Sequence, residues 1–347
     1  MDGLRMRSIR QQMDLPAKEF AALLNERLGR SYDGPRVSRW EGGNERIPAN
    51  VLKALSEIEA GLNAASRTCV VVAIANQKGG VGKTTSTVNI AYALSELGAR
   101  VLVIDADGQG NLTNNFNATD QAFGLEASNR TMFHVLAKRA TLSDIIIPTE
   151  YENIKLAPAT ISLAKADIEI AADPLGGIYR LDEQMKAIRG AFDVVLIDCA
   201  PSLGGTTSAA LVTADLVLVP VQTESFALLG VAQLIDTIET IQYRPNPKLQ
   251  VLGLLPTMFD RRTNQHRTML SDLRARYASA YRIFDPIPRA DLYGTSTAAC
   301  TPALAADPKI RGSETYREVA AVIFARTRSA TDATTTQAKE AVHGIVP

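Results

Sequence analysis

Cysteine is scarce in this sequence: only Cys69, Cys199 and Cys300 occur among 347 residues. Their number is odd and they lie far apart along the chain. The pattern therefore predicts neither a disulfide framework nor a zinc site. Free, scattered cysteines fit a reducing compartment, so a cytoplasmic protein is expected.

Long apolar runs and an excess of either charge are also missing. No run approaches the roughly 18 apolar residues of a membrane span, and residues 1–13 lack the apolar centre of a signal peptide. Lys plus Arg and Asp plus Glu both number 37, so net charge indicates no partner and any basic surface must be local. The hydrophobic content of 46% is ordinary for a globular protein.

Three regions differ in pattern along the chain. Residues 1–67 are polar, with apolar positions at helical spacing, and predict a small all-α domain. Residues 68–329 alternate β-branched runs with helical patterns, which predicts an α/β domain with a doubly wound, mostly parallel sheet. Residues 330–347 are small and polar and predict a flexible tail.

The predicted strands are near-continuous apolar runs, as expected of strands buried on both faces. They cover 70–75, 100–105, 192–198, 214–221 and 249–256, and a shorter run at 281–288 is expected to extend the sheet. Helical patterns cover 83–98, 226–242, 265–279 and 313–327.

Glycines cluster directly after the first predicted strand, in NQKGGVGKTT (76–85). A strand, a glycine-rich turn and a helix in that order form a phosphate site, because backbone N–H groups and the helix N-terminus point at the anion. Lys83 would reach the β- and γ-phosphates and Thr84 would ligate Mg²⁺. The usual motif has glycine five positions before Gly82, where this chain has Gln77.

A second lysine, Lys78, lies in the same loop. Its ammonium is repelled by Lys83 and by the helix N-terminus unless anionic oxygens lie near it. Two interpretations follow from the residues alone. Lys78 either reaches the nucleotide of a second subunit or is a solvated lysine that the loop tolerates.

The string KGGVGKTT resembles the deviant Walker A motif of the ParA/MinD family of P-loop ATPases, in which the extra lysine is a signature. Other stretches resemble the switch I segment (VLVIDADGQGN, 101–111), the Walker B and switch II segment (VVLIDCAPSLG, 194–204) and further ParA sequences (LVPVQTESFALLG, 218–230; DPKIRGSETY, 307–316). The resemblance spans residues 69–328. It departs at Gly108 and Ala200, where the family commonly has proline.

The resemblance implies ATP/ADP and Mg²⁺ as cofactors and an ATP-sandwich homodimer in which Lys78 contacts the partner's phosphates. The implied catalytic residues are Lys78, Lys83, Asp107 and Asp198, and the implied metal site is Thr84, Asp107 and Asp198. The implied nucleotide contacts are Lys78, Gly79, Gly80, Val81, Gly82, Lys83, Thr84 and Thr85, with Thr257, Met258 and Pro288 near adenine. Phosphoryl transfer to water depends on positioning, so hydrolysis is expected to be slow until a partner orders the switches.

The N-terminal region carries a second resemblance. PRVSRWEGGNERIPANVLKAL (35–55) resembles the recognition-helix end of Cro/repressor-type helix-turn-helix domains, with Pro35 at the first helical position. This implies inward Val37 and Trp40 and outward DNA-contacting Arg36, Ser38 and Arg39.

Two features leave the alternative of a helical dimerisation or capping domain open. The segment between the two helices, 25–34, is longer than the tight turn of that family. Residues 1–67 hold eleven basic and nine acidic residues, a balance of only +2.

Residues 261–282 hold six arginines and a single aspartate. Clustered arginine without base-reading geometry favours sequence-independent phosphate contact. We predict that Arg267 and Arg274 contact DNA there. An ordinary solvated helix face is the alternative.

Together these features predict an ATP-dependent DNA partition ATPase. It would bind nonspecific DNA as a dimer, respond to a ParB-like centromere-binding partner, associate with the nucleoid and repress its own operon through the N-terminal domain. Alternatives are a MinD-like membrane ATPase, which needs a basic amphipathic C-terminal helix, and an ATP-responsive repressor. A nitrogenase-type iron protein lacks its paired cysteine ligands here.

Overall fold

The computed structural model describes residues 2–65, 67–224 and 227–327. The chain divides into two compact units, Met1–Arg67 and Thr68–Pro347. The predicted flexible tail, residues 330–347, lies outside the described residues.

The smaller unit is built from helices. Its helices are α1 (Asp2–Gln12), α2 (Ala17–Leu28), α3 (Gly34–Glu41) and α4 (Ala49–Ala65). Each turns an apolar face inward, and the shared core contains Met6, Phe20, Leu24, Val37, Trp40, Val51 and Leu55, all fully buried. Pro35 is the second residue of α3 rather than the first, because the helix begins at Gly34 behind the capping carboxylate of Asp33.

The connection between α2 and α3 is shorter than the sequence suggested. Residues predicted to lie between the helices, 25–28, continue α2, which ends where Gly29 adopts the left-handed conformation. The Asn25 side chain then brackets the connection, since its Nδ2 donates to the Tyr32 carbonyl (2.8 Å) and its Oδ1 accepts from the Tyr32 amide (2.6 Å). Only five residues, 29–33, separate the two helices.

The larger unit contains a seven-stranded sheet in the order β3-β4-β2-β5-β1-β6-β7. Its strands are β1 (Val70–Ile74), β2 (Val101–Ala106), β3 (Ile147–Pro148), β4 (Ile154–Ala157), β5 (Val194–Cys199), β6 (Leu216–Gln222) and β7 (Gln250–Thr257). All pairings are parallel except that of β3 with β4. The predicted mostly parallel α/β sheet is confirmed.

Helices cover this sheet. They are α5 (Lys83–Glu96), α6 (Asn111–Asn115), α7 (Thr119–Ala127), α8 (Met132–Leu136), α9 (Ala166–Ala171), α10 (Arg180–Ile188), α11 (Gly205–Thr213), α12 (Ala227–Tyr243), α13 (Asn264–Tyr277), α14 (Asp291–Ala298), α15 (Ala303–Ala306) and α16 (Ser313–Ala325). Four short 3₁₀ turns also occur, at Leu142–Asp144, Ile161–Lys165, Gly177–Tyr179 and Arg189–Ala191. In the described parts of the chain, no helix is long and apolar enough to cross a membrane.

The strand sequences are apolar throughout because both faces of the sheet are buried. Along β1, Val71 and Ala73 belong to one core cluster, while Val70, Val72 and Ile74 belong to the cluster on the other face. This alternation is the two-residue period of a strand.

The edges of the sheet depart from the sequence prediction. Residues 281–288 run beside β7 but form only isolated bridges, Leu254 to Ile283 and Phe259 to Pro288, rather than a continuous strand. The prediction of a further strand there was wrong. Pro286 has no N–H to donate, which interrupts the hydrogen-bond ladder. At the opposite edge, β3 and β4 were not foreseen, since they are only two and four residues long.

Candidate functional site

The candidate site lies at the carboxyl ends of β1, β2 and β5. The register places Ile74 beside Asp198 and Asp198 beside Asp105, so two strand-end carboxylates adjoin the loop that follows β1. From β1 the strand order continues in both directions, with β5 on one side and β6 on the other. An open parallel sheet binds ligands at such a crevice.

Two left-handed glycines shape the loop after β1. Gly80 has φ +71° and Gly82 has φ +87°, conformations that residues with a Cβ rarely adopt. Gly82 immediately precedes α5, so the loop delivers its backbone N–H groups to the N-terminus of a 14-residue helix. This arrangement suits an anion.

Side chains from other strands hold this loop in place. The Asn76 amide donates to the Pro220 carbonyl of β6 (2.6 Å) and accepts from the Lys78 N–H (3.0 Å). The Thr257 hydroxyl at the end of β7 donates to the Val81 carbonyl (2.8 Å). Strands β6 and β7 therefore fix the loop that leaves β1.

The two lysines of the loop differ in burial and in the groups that they contact. Lys83 is buried, and its Nζ donates to the Lys78 carbonyl inside the loop (3.2 Å). Burial lowers the pKa of Lys83, while the Asp198 carboxylate opposes that shift. The Lys78 ammonium instead lies 3.4 Å from the Glu224 carboxylate, with more than a third of its side chain exposed.

Thr84 and Asp198 form the candidate metal pair. The Thr84 hydroxyl donates to Asp198 Oδ2 (2.6 Å), and the Thr87 hydroxyl donates to Oδ1 (3.3 Å). Burial raises the pKa of Asp198 to about 8, with a further contribution from the neighbouring Asp105 carboxylate. A buried carboxylate of this kind is stabilised in its charged form by a cation.

The donor set of this pair fits Mg²⁺. Mg²⁺ takes hard oxygen ligands and completes its octahedron with phosphate oxygens and water. Thr84 and Asp198 supply a hydroxyl and a carboxylate, and among the described residues no group of three or more His, Cys, Asp or Glu converges as a self-sufficient metal site. The protein oxygens therefore suit an ion that arrives with a phosphate.

The segment after β2 is fixed by Asp105. This fully buried carboxylate accepts from the Thr113 amide (2.8 Å) and hydroxyl (2.7 Å) through one oxygen and from the Asp107 amide (3.1 Å) through the other. Burial raises the pKa of Asp105 to about 6. Asp107 lines the phosphate end of the site, and its carboxylate accepts from the Gln109 amide (2.9 Å).

Two adjoining clefts run along the loop. The phosphate cleft, about 360 Å³, is lined by Gly79, Gly80, Lys83, Thr84, Asp107 and others. The distal cleft, about 630 Å³, is lined by Thr257, Pro288, Arg289, Tyr293 and others. Gly82, Thr85, Met258 and Thr297 line both. One continuous site thus offers anion-binding groups at one end and a wider space at the other.

The three residues predicted near a base all line the distal cleft. The Thr257 hydroxyl is already committed to Val81, which leaves its methyl group and backbone for a ligand. Met258 has φ +54° and lines both clefts. Pro288 forms the backbone bridge with Phe259.

One stretch of chain touches both segments that flank the phosphate cleft. A Cβ at Gly108 would lie 3.2 Å from the Ala164 amide nitrogen, and a Cβ at Gly204 would collide with the Asp167 carboxylate. Asp167 accepts from the amide (2.8 Å) and hydroxyl (2.7 Å) of Thr206, in the first turn of α11. The segments after β2 and β5 are therefore packed against a common support.

The residues predicted to contact DNA lie outside this crevice. On α13, Arg267 bonds the Arg261 carbonyl and the Asn264 side chain, and Arg274 lies 3.7 Å from Asp285. In the smaller unit, Ser38 and Arg39 are exposed and Arg36 is half-buried. Both arginines pair with Glu45.

Sequence reasoning missed Asn76, Asp167 and Glu224. Asn76 was visible as a polar residue between strand and loop, a position where a side chain can bracket a turn. The partners of Asp167 and Glu224 lie 39 and 146 residues away along the chain. No local pattern indicates such contacts.

Comparisons with known proteins agree with this geometry. The family model described as "AAA domain" matches residues 69–251. The chromosome partitioning protein ParA of Caulobacter vibrioides is 39% identical over 261 residues, which cover 74% of this chain and 95% of that protein. The sporulation initiation inhibitor protein Soj of Bacillus subtilis is 36% identical over 258 residues, covering 74% and 98%.

A solved structure named as cobyrinic acid a,c-diamide synthase from Mycobacterium smegmatis, with bound ADP and magnesium, matches with a TM-score of 0.62 and 37% identity. The match covers 73% of this chain and 93% of that one. With a phosphate loop, a hydroxyl–carboxylate pair and these relatives, the chain belongs to the ParA/MinD family of P-loop ATPases.

Proposed function

We propose that this protein is a DNA partition ATPase that closes as a homodimer around ATP. The observation that carries the proposal is the direction of Lys78, whose ammonium leaves its own loop and pairs with Glu224 at the rim. Lys83 already occupies the interior of the loop. A second cation at the rim suits the phosphates of a facing subunit, where Glu224 gives way to a stronger anion.

Within one subunit the residues divide the work of binding and orienting ATP and Mg²⁺. The amides of Gly79–Thr85 enclose the phosphates, and Lys83 neutralises the terminal ones. The Thr84 hydroxyl and the Asp198 carboxylate would hold the ion, which would neutralise charge on the phosphates. The adenine lies in the distal cleft against Thr257, Met258 and Pro288.

Hydrolysis needs an attacking water positioned next to the terminal phosphate. Asp107 lines the phosphate cleft with its carboxylate held by the Gln109 amide, and it orients that water. Within one subunit the segment is held by contacts with Asp105, Thr113 and Ala164, and basal turnover stays weak until further contacts fix Asp107 against the terminal phosphate. A ParB-like partner raises the rate by fixing the segment further.

DNA contact is divided between the units. Arg267 and Arg274 of α13 contact phosphates without reading sequence, which places the ATP-bound dimer on the nucleoid. In the smaller unit the short α2–α3 connection and the outward Ser38 and Arg39 support a helix-turn-helix that reads an operator. Binding there represses the partition operon.

Dimerisation through Lys78 is tested with Lys78→Ala and a non-hydrolysed ATP analogue. A symmetric dimer loses the contact twice, and charge-assisted bonds contribute about 1.5–3 kcal/mol each, so dimer affinity falls by about 10²-fold or more. Light scattering measures the mass, and a fluorescent ATP titration checks that the monomer still binds nucleotide. The exposed Lys248→Ala serves as the charge-matched control. A Lys78→Ala dimer of wild-type affinity overturns the proposal.

Two alternatives give different results. A MinD-like membrane ATPase pellets with anionic liposomes when ATP is present, and a pure ATP-responsive repressor binds operator DNA without ATP turnover that DNA and partner stimulate. Turnover measured with DNA, with liposomes and with neither separates these outcomes.

A further inference from the structure

The outer face of α3 carries a three-residue charge cluster, Arg36–Glu45–Arg39. Arg36 reaches Glu45 Oε1 through Nε (2.8 Å) and Nη2 (2.8 Å). Arg39 reaches the other oxygen, Oε2, through Nε (3.2 Å). One carboxylate therefore occupies both guanidinium groups that would face DNA.

Two aromatic rings of the same domain pack against the guanidinium of Arg36. Its guanidinium carbon lies 5.6 Å from the centre of the Tyr32 ring and 5.4 Å from that of Trp40. These two rings meet edge to face at 5.0 Å. The face of the Arg36 guanidinium therefore lies against the Tyr32 and Trp40 rings, while its N–H groups donate to Glu45.

The cluster is accessible to a competing anion. The exposed fractions are 42% for the Arg36 side chain, 51% for Arg39 and 29% for Glu45. Hydrogen bonds from Arg36 and Arg39 lower the pKa of Glu45, so the carboxylate is ionised at neutral pH. Exposed pairs are weak individually, and a DNA group can displace the carboxylate.

A backbone phosphate and a guanine edge differ in how well they compensate for the lost contacts with Glu45. A backbone phosphate offers charge, and its affinity depends on how many cations the face presents. A guanine edge offers two acceptors in the plane of the guanidinium, which replace the two contacts that Arg36 makes with Glu45 Oε1. Glu45 therefore lowers the affinity for arbitrary DNA more than the affinity for a site that presents guanine correctly.

We propose that Glu45 is a specificity-determining residue that competes with DNA phosphates for Arg36 and Arg39. This inference rests on the proposed operator binding by the smaller unit and adds the means by which that unit rejects other sequences. With Arg36, Arg39 and Glu45 all charged, the net charge of this face is +1. Without the Glu45 charge it is +2.

The test uses the full-length chain without nucleotide, a short random-sequence duplex and fluorescence anisotropy over a range of salt. Glu45→Gln keeps the shape and removes the charge. One additional phosphate contact makes binding about fivefold tighter near 0.15 M salt, and the variant loses about 3.5-fold more affinity than wild type between 50 and 200 mM. Glu26→Gln, an exposed residue of α2, makes the same charge change outside the cluster and has a smaller effect.

The double variant Arg36→Ala/Arg39→Ala separates the two proposals. If it binds the duplex as wild type does, α3 does not contact DNA, and operator binding and the role of Glu45 both fail. If it binds more weakly but Glu45→Gln does not bind more tightly, only the inference on Glu45 is overturned. In the double-variant background, Glu45→Gln should have no effect beyond that of Glu26→Gln.

Discussion

In the larger unit the carboxylates of Asp105 and Asp198 are buried, and each is fixed by a threonine hydroxyl at 2.6 to 2.7 Å. In the smaller unit Arg36 and Arg39 share the exposed carboxylate of Glu45. The buried groups have one arrangement available because any other leaves a charge without a partner in a low-dielectric interior. The exposed groups can exchange partners with water or DNA at small cost.

The difference separates two requirements. Phosphoryl transfer depends on groups positioned before the substrate arrives. Searching DNA for a sequence depends on contacts that form and break readily at each position. The larger unit has buried carboxylates that suit the first requirement, and the smaller unit has an accessible charge cluster that would suit the second if it binds DNA as proposed.

The largest expected effect concerns the core of the smaller unit. Trp40→Ala removes its largest fully buried side chain and should destabilise that unit by about 3–5 kcal/mol. A thermal melt should show an early transition, and binding of operator DNA should be lost. Because the larger unit has separate core clusters, ATP turnover should stay within about twofold of wild type. A parallel loss of turnover would show that the units do not fold independently.

The second prediction concerns Asp198. Asp198→Asn should reduce ATP turnover by about 10²-fold, since a charge that orients the metal is lost. The same change should raise the melting temperature of the nucleotide-free, metal-free protein by about 2–6 °C at high pH. Its folded pKa of about 8 lies above the ordinary value of 3.8, so the charged form costs stability, and that cost grows as pH rises from the unfolded pKa to about 8 and is constant above it.

Calorimetry at several pH values measures this second effect. At a pH well below 8, wild-type Asp198 is itself protonated in the folded state, so the difference between wild type and variant should shrink. Thr87→Val, which removes the weaker hydrogen bond to Asp198 together with the bond to the Lys83 carbonyl and leaves the carboxylate in place, is the control. A melting temperature that falls at every pH contradicts the account of a costly buried charge.

The smallest expected effect concerns α13. Arg267→Ala should reduce the salt slope of nonspecific binding in the ATP state by about 0.9, a loss of a few-fold in affinity at physiological salt. Arg274→Ala should have less effect, because Asp285 already lies 3.7 Å from that guanidinium. Anisotropy titrations over a range of salt measure both slopes, with exposed Lys309→Ala as the control. If all variants have the same salt slope as wild type, α13 does not contact DNA.

The central strands and the phosphate loop could be predicted because their signals are local. A parallel strand buried on both faces must be apolar at every position, as β1 and β5 are. The loop carries its glycines, lysine and threonine in one short string. The edge strand β3 and its neighbour β4 were missed because so few residues cannot establish a period.

Contacts between distant residues could not be predicted. The bonds of Glu224 to Lys78 and of Thr257 to Val81 join residues 146 and 176 positions apart. Glu45 is different, because it lies only six and nine positions from the two arginines. Its sequence position was visible, but its side-chain direction depends on the turn that follows α3.

Asp167 accepts hydrogen bonds from the first turn of α11, and Ala164, three residues earlier, packs against Gly108, so the segments after β2 and β5 share one support. A displacement of either segment would therefore displace the other. A protein that binds to residues 164–167 from outside would thus act on both segments that flank the phosphate cleft, without entering the cleft.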